Sequence, residues 1–204
     1  MRLSGGRGSP FRAALRVIAL IVAALSAAGG AAAQQPVPGI DHEVLGLDVS
    51  LREEAYPLDA PTFAELVRAL NGLSVEGAGA PLSQGLTEYR ILPEWSVAAA
   101  SGVCRVAEAR VRVTVVVTLP IWTAVAAASD DERVRWESIR DRIRAHEHAH
   151  RDMTLEAAAS LLDTIGGLSA RGCAQLRRAV EAEIALADAR LSERHAELDA
   201  SGGR

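Results

Sequence analysis

Residues 145–153 read Ala-His-Glu-His-Ala-His-Arg-Asp-Met, and His146-Glu147-His148-Ala149-His150 is an H-E-x-x-H pattern. On an α-helix, positions i and i+4 lie one turn apart on the same side, so the imidazoles of His146 and His150 can reach one zinc ion at about 2.0–2.1 Å each. Glu147 is rotated by about 100° from His146, which brings its carboxylate towards a zinc-activated water rather than the metal. There it can take the proton from that water and, once protonated, deliver it to a leaving amine. These residue types at this spacing point to hydrolysis of a peptide (amide) bond. The competing reading is a histidine-rich helix without metal, in which two inward imidazoles would need other partners. His148, about 200° from His146, is expected at the surface.

A catalytic zinc takes three protein ligands and leaves a position for water. His195 is the predicted third ligand, because it lies on the inward stripe of the next helix, which can fold back antiparallel. Glu181, Glu183 and Asp188 are further candidates. Glu156 is rotated off the stripe by about 80°, and His42 lies close to the N-terminal linker.

The elements that must position these residues are legible in the hydropathy pattern. A first strand is expected within residues 42–58, broken by Asp59, Pro61 and Thr62. Thr62 and Glu65 form a capping-box pattern that opens a helix ending near Gly72. A loop with Gly77, Gly79, Pro81 and Gly85 follows, then two short strand candidates, Leu86–Leu92 and Trp95–Ala100, separated by Pro93. Val111, Val113, Val115, Val117 and Leu119 alternate with Arg112, Thr114 and Thr118, the period of a half-buried strand, with Pro120 as its end. This strand precedes the histidine helix, as a substrate-aligning edge strand would.

Ser129 and Glu132 form a second capping box, with Asp130 and Asp131 in the first turn. The helix they open runs to about Gly166–Gly167, with an apolar stripe of Trp136, Ile139, Ile143, His146, His150, Met153, Ala157 and Leu161. A last helix over about Ala170–Leu198 carries the stripe Cys173, Leu176, Val180, Ile184, Ala187, Leu191, His195 and Leu198. The outline is α+β: a small, mostly antiparallel sheet packed on the long H-E-x-x-H helix and a C-terminal helix.

Charge and composition narrow the class. Residues 1–33 hold four of the 22 basic residues, all Arg, and no acid, so the remainder carries 18 against 26 and a net charge of −8. No basic patch suggests nucleic acid. A basic start, an apolar run and Ala31-Ala32-Ala33 read as a signal peptide over 1–33, followed by a linker over 34–45 and one domain over 46–204. The alternative for the N-terminus is an uncleaved anchor, although its apolar run is short and interrupted by Gly29 and Gly30. Export to the periplasm or the medium favours a disulfide between Cys104 and Cys173, the only cysteines; the alternative is two free buried thiols.

The ordered set of features resembles a bacterial domain family of unknown function whose members are described as predicted secreted zinc-dependent proteases. The resemblance runs from about Tyr56 to the C-terminus. It rests on Thr62-x-x-Glu65-Leu66, Trp95, Cys104, Leu119-Pro120 with Trp122, Trp136, His146-Glu147-x-x-His150 and Cys173. It implies a zincin-like, secreted or periplasmic hydrolase with its two cysteines bridged. One departure stands out. Such sequences tend to end in a tyrosine-aspartate stretch followed by threonine and histidine-glycine, whereas here Leu198-Asp199 occupies that place and no histidine follows.

The sequence therefore predicts a zinc metallopeptidase acting on peptide or protein substrates. His146, His150 and His195 are its expected ligands and Glu147 its general base. A non-catalytic zinc-binding envelope scaffold or binding module is the alternative, and a metal-free helical adaptor the third reading. Nothing in the sequence marks a specificity pocket.

Overall fold

The computed structural model describes residues 46–72 and 84–202. The expected signal peptide and linker lie outside them. Strand β1 (Leu47–Leu58) is followed by helix α1 (Phe63–Gly72), strands β2 (Leu86–Ala100) and β3 (Val103–Trp122), helix α2 (Asp130–Gly166), the two-residue strand β4 (Ser169–Ala170) and helix α3 (Cys173–Gly202). The architecture is α+β, a mixed four-stranded sheet packed against α2 and α3. Two of the three pairings are antiparallel, β2 with β3 and β3 with β4, while β1 runs parallel to β3.

Strand β3 is the centre of the sheet. Val111, Val113, Val115, Val117 and Leu119 are all buried, as their alternation predicts. Its neighbours are β1 on one side and β2 on the other, so the strand expected to be a substrate-aligning edge is instead central, and among the described residues β1 and β2 are the edges. The reason is visible in the sequence only afterwards. A run of β-branched residues favours a strand anywhere in a sheet, and its position depends on which partners arrive from residues far away.

Proline punctuation is also weaker than expected. Pro120 does not end β3, which continues to Trp122, and Pro93 does not split β2. Pro93 pairs with Val111, whose N–H donates to the Gly46 carbonyl on the β1 side at 2.6 Å. The Val111–Pro93 pair is thus a non-hydrogen-bonded one, and the proline nitrogen faces the open edge, where a missing N–H costs nothing. Gly46 itself needs to be glycine: its φ is +92°, and a Cβ there would lie 2.7 Å from the Ala109 carbonyl oxygen.

Both capping boxes form. Thr62 and Glu65 exchange hydrogen bonds at the start of α1, and Ser129 and Glu132 do so at the start of α2. Trp122 anchors the sheet to both helices, with ring contacts to Phe63 at 6.0 Å and Trp136 at 6.5 Å, and its indole N–H donates to the Ala60 carbonyl at 2.7 Å. At the other end of the core, Cys104 of β3 and Cys173 of α3 form a disulfide, with Val106, Leu161, Ile165, Leu176 and Val180 buried around it. The bridge suggests an extracytoplasmic location. Among the described residues, no helix is long and apolar enough to cross a membrane.

The inward face of α2 is wider than the predicted stripe. Trp136, Ile143 and Leu161 are buried as expected, but so are Glu147, Thr154 and Ala158, one position further round the helix than His146, Met153 and Ala157. Helix α2 packs on two partners at once, the sheet and α3, so residues on two adjacent faces leave solvent. This rotation is what brings Glu147 to the sheet.

Candidate metal centre

The site lies where the middle of α2 meets β2 and the last turns of α3. The inner face of the sheet, otherwise lined by the β3 valines, carries three polar or amphipathic residues here. Glu53 comes from β1, and Thr87 and Tyr89 come from β2, paired with Val117 and Val115 respectively. Each meets a different part of the helical layer.

Three atoms converge. His146 Nε2 and His150 Nε2 are 3.1 Å apart; Asp199 Oδ1 lies 2.9 Å from the latter and 3.3 Å from the former. Ligand atoms about 2.0–2.1 Å from a tetrahedral zinc lie about 3.3 Å from one another, so this triangle has close to the size that one ion requires. The donor set also fits: two imidazole nitrogens and a carboxylate oxygen are ordinary zinc ligands, and the charge of Asp199 favours a cation between them. His146, His150 and Asp199 could therefore hold a metal ion. His150 is buried, His146 is half-buried and Asp199 is on the exposed side.

The residues named from sequence are not all brought to this triangle. His195 reaches the site from another direction, with its Nδ1 2.6 Å from His150 Nδ1, the nitrogen remote from Asp199. Its ring is nearly parallel to that of Tyr89, centroids 4.9 Å apart, and to that of His150, centroids 4.8 Å apart. Burial, and then the neighbouring His150, push the His195 imidazolium down to about 4, so this ring is neutral near pH 7. Glu156 is engaged elsewhere, in an ion pair with Arg194 at 2.7 Å. Glu181 is exposed, Glu183 is half-buried and Asp188 is exposed; none belongs to the converging group. His42 lies outside the described residues. His148 is not fully at the surface as expected; it is half-buried, with Nε2 3.5 Å from Glu53, which also pairs with Arg144 at 3.2 Å.

Glu147 is held with care. It is 1% exposed, and Thr87 donates its hydroxyl to Glu147 Oε2 at 2.8 Å, within 3.1 Å of the Glu147 carbonyl as well. Gly85 lies directly against it: a Cβ on that residue would stand 2.6 Å from Glu147 Cγ and 2.9 Å from Oε1. Tyr56 braces the same stretch of chain by donating its phenol to the Gln84 carbonyl at 2.6 Å. Burial, and then the nearby Glu147 carboxylate, push that phenol up to about 12. The carboxylate is thus boxed by the start of β2, which leaves it little freedom to rotate.

Sequence reasoning missed Asp199, Thr87 and Gly85. Asp199 stands four residues after His195, on the same side of α3, and this i, i+4 relation was the available signal. Thr87 and Gly85 carried none, because their value depends on where β2 meets α2. Searches of curated proteins and of solved structures find no match to this chain. Residues 53–203 match the model of a family described as "Bacterial protein of unknown function (DUF922)", a span that takes in every described residue of the converging group, and the chain belongs to that family.

Proposed function

We propose that this protein is an extracytoplasmic zinc-dependent hydrolase that cleaves peptide or other amide bonds. The observation that carries the reading is the triangle of His146 Nε2, His150 Nε2 and Asp199 Oδ1, with the buried carboxylate of Glu147 next to His146 in the chain. When bound, zinc supplies Lewis acidity, which acidifies a water and polarises a carbonyl. The chain's own residues do the rest. His146, His150 and Asp199 hold the ion; Glu147 accepts the proton of the attacking water and returns it to the leaving nitrogen. Thr87 and Gly85 fix the direction of that carboxylate, and β2, the open edge nearest to it, offers backbone groups along which an extended substrate can lie.

The test is zinc stoichiometry and peptidase activity on the purified chain and two variants. One zinc per chain is expected, lost in Asp199→Ala. Glu147→Gln is expected to keep the zinc and lose turnover by roughly 10²–10⁴-fold. A chain that takes up no zinc under replete conditions would remove the reading altogether.

A second reading has its own support. The ligands straddle α2 and α3, as they would in a metal clasp without turnover, a zinc-holding scaffold of the cell envelope. Equal, zero activity in the parent and in Glu147→Gln, both zinc-loaded, would favour it.

A further inference from the structure

The contact between His150 and His195 raises the question of which ring carries the shared proton, and the neighbouring contacts answer it. Thr154 is fully buried and its hydroxyl has a single proton, donated to the His150 carbonyl one turn back at 2.9 Å. Towards His195 Nε2, 3.4 Å away, the Thr154 oxygen can therefore only accept, so that nitrogen carries hydrogen. A neutral imidazole has one N–H. The His195 Nδ1 is then a lone pair, and His150 Nδ1, facing it at 2.6 Å, is the donor. His150 Nε2, on the far side of that ring, points at Asp199 Oδ1 and His146 Nε2, and with the proton at Nδ1 it is the nitrogen that can ligate.

The ring geometry suits this assignment. The two planes are inclined by only 21°, and the nitrogens are closer than the centroids by about one ring's width, so the rings meet edge to edge. Tyr89, nearly parallel to His195 from the β2 side, fixes the plane of the accepting ring. His150 Nε2, Asp199 Oδ1 and His146 Nε2 lie 2.9–3.3 Å from one another, so a His150 that keeps its proton at Nδ1 turns a lone pair into the triangle.

We propose that His195 is a positioning residue that holds His150 in the tautomer able to ligate a metal through Nε2, with Thr154 and Tyr89 orienting His195. This rests on the metal-site reading above. It assigns to an imidazole the outer-shell role that a carboxylate or a carbonyl usually plays for a ligating histidine.

The experiment uses the full chain with ¹⁵N-labelled histidine, loaded with zinc, together with zinc affinity from chelator competition. The expected spectrum shows His150 protonated at Nδ1 and metal-bound at Nε2, with His195 protonated at Nε2 and not metal-bound. His195→Leu, which cannot accept, is expected to weaken zinc by roughly 10–100-fold. His195→Asn, whose side-chain carbonyl can accept, is expected to recover part of that loss. A metal-shifted His195 nitrogen, or His150 bound through Nδ1, would overturn the proposal; so would a folded His195→Leu that binds zinc as tightly as the parent. If His195→Leu does not fold, the spectrum of the parent decides alone. Failure of the metal-site reading would be distinct, since it would show as no zinc in the unsubstituted chain.

Discussion

Helices α2 and α3 are fastened at two places by opposite means. Near their connecting turn, the Cys104–Cys173 bridge sits in an apolar cluster with Leu161, Ile165, Leu176 and Val180. Towards the end of α3, the contacts are polar: His150 with His195, Asp199 with both site histidines, and Arg194 with Glu156. The apolar end needs nothing from outside, because burial and a covalent bond hold it in any solution that keeps the disulfide. On the proposed reading, the polar end depends on whether a cation sits among His146, His150 and Asp199. One end sets the fold; the other is free to respond to chemistry.

That contrast can be broken from the apolar side first. Replacing both cysteines by serine opens a loop whose ends are 69 positions apart in sequence and is expected to cost about 4 kcal/mol, read from urea unfolding at fixed zinc. Zinc affinity should be unchanged; a parallel loss of zinc would mean that the two ends are one unit. From the polar side, zinc at about 100 times its dissociation constant should add about 2.7 kcal/mol, seen as a drop in melting temperature on chelation. Asp199→Ala should abolish that drop while leaving the metal-free melting temperature close to the parent's. An equal drop in the variant would remove Asp199 from the ligand set.

A finer break separates the metal triangle from Glu147. Gly85→Ala drives a methyl into Glu147, with an expected loss of about 1–3 kcal/mol from overpacking and a fall in turnover, yet with zinc retained. Zinc lost along with activity would show that Glu147 and the metal triangle are not independently placed. The smallest effect belongs to the start of α2, remote from both fastenings. Hydrogen bonds from the Ser129 backbone, then from its hydroxyl, hold Glu132 below the usual carboxylate range. That contribution is complete above the ordinary carboxylate pKa and disappears as pH falls through the lowered one. Ser129→Ala should therefore lower the melting temperature slightly at neutral pH and less in acid, without changing zinc affinity. A larger effect in acid would contradict the sign.

Much of this is legible in the sequence. The stripe Cys173, Leu176, Val180, Leu191 and His195 faces inward as its spacing requires, and both capping boxes form where the sequence places them. Period and capping are local, so sequence carries them. What was hidden is what distant segments decide together. Val111–Leu119 reads equally well as an edge or a centre, and only the parallel arrival of β1, 64 residues earlier in register, makes it central. Glu147 lies off the single apolar stripe and is buried because α2 packs on two layers. The pattern brought His195 to the right neighbourhood but could not choose between contact with the metal triangle and contact with His150, since His195 and Asp199 share one side of α3 and either can face α2.

The place of Asp199 in the chain has a consequence for biosynthesis. It stands in the last turn of α3, 49 residues after His150. A ribosome completes the H-E-x-x-H helix well before it makes the carboxylate that closes the triangle. Until α3 has emerged and folded back, a nascent chain presents only two imidazoles, one ligand short of a catalytic set. On the proposed reading, the metal triangle is therefore complete only once α3 has folded back against α2.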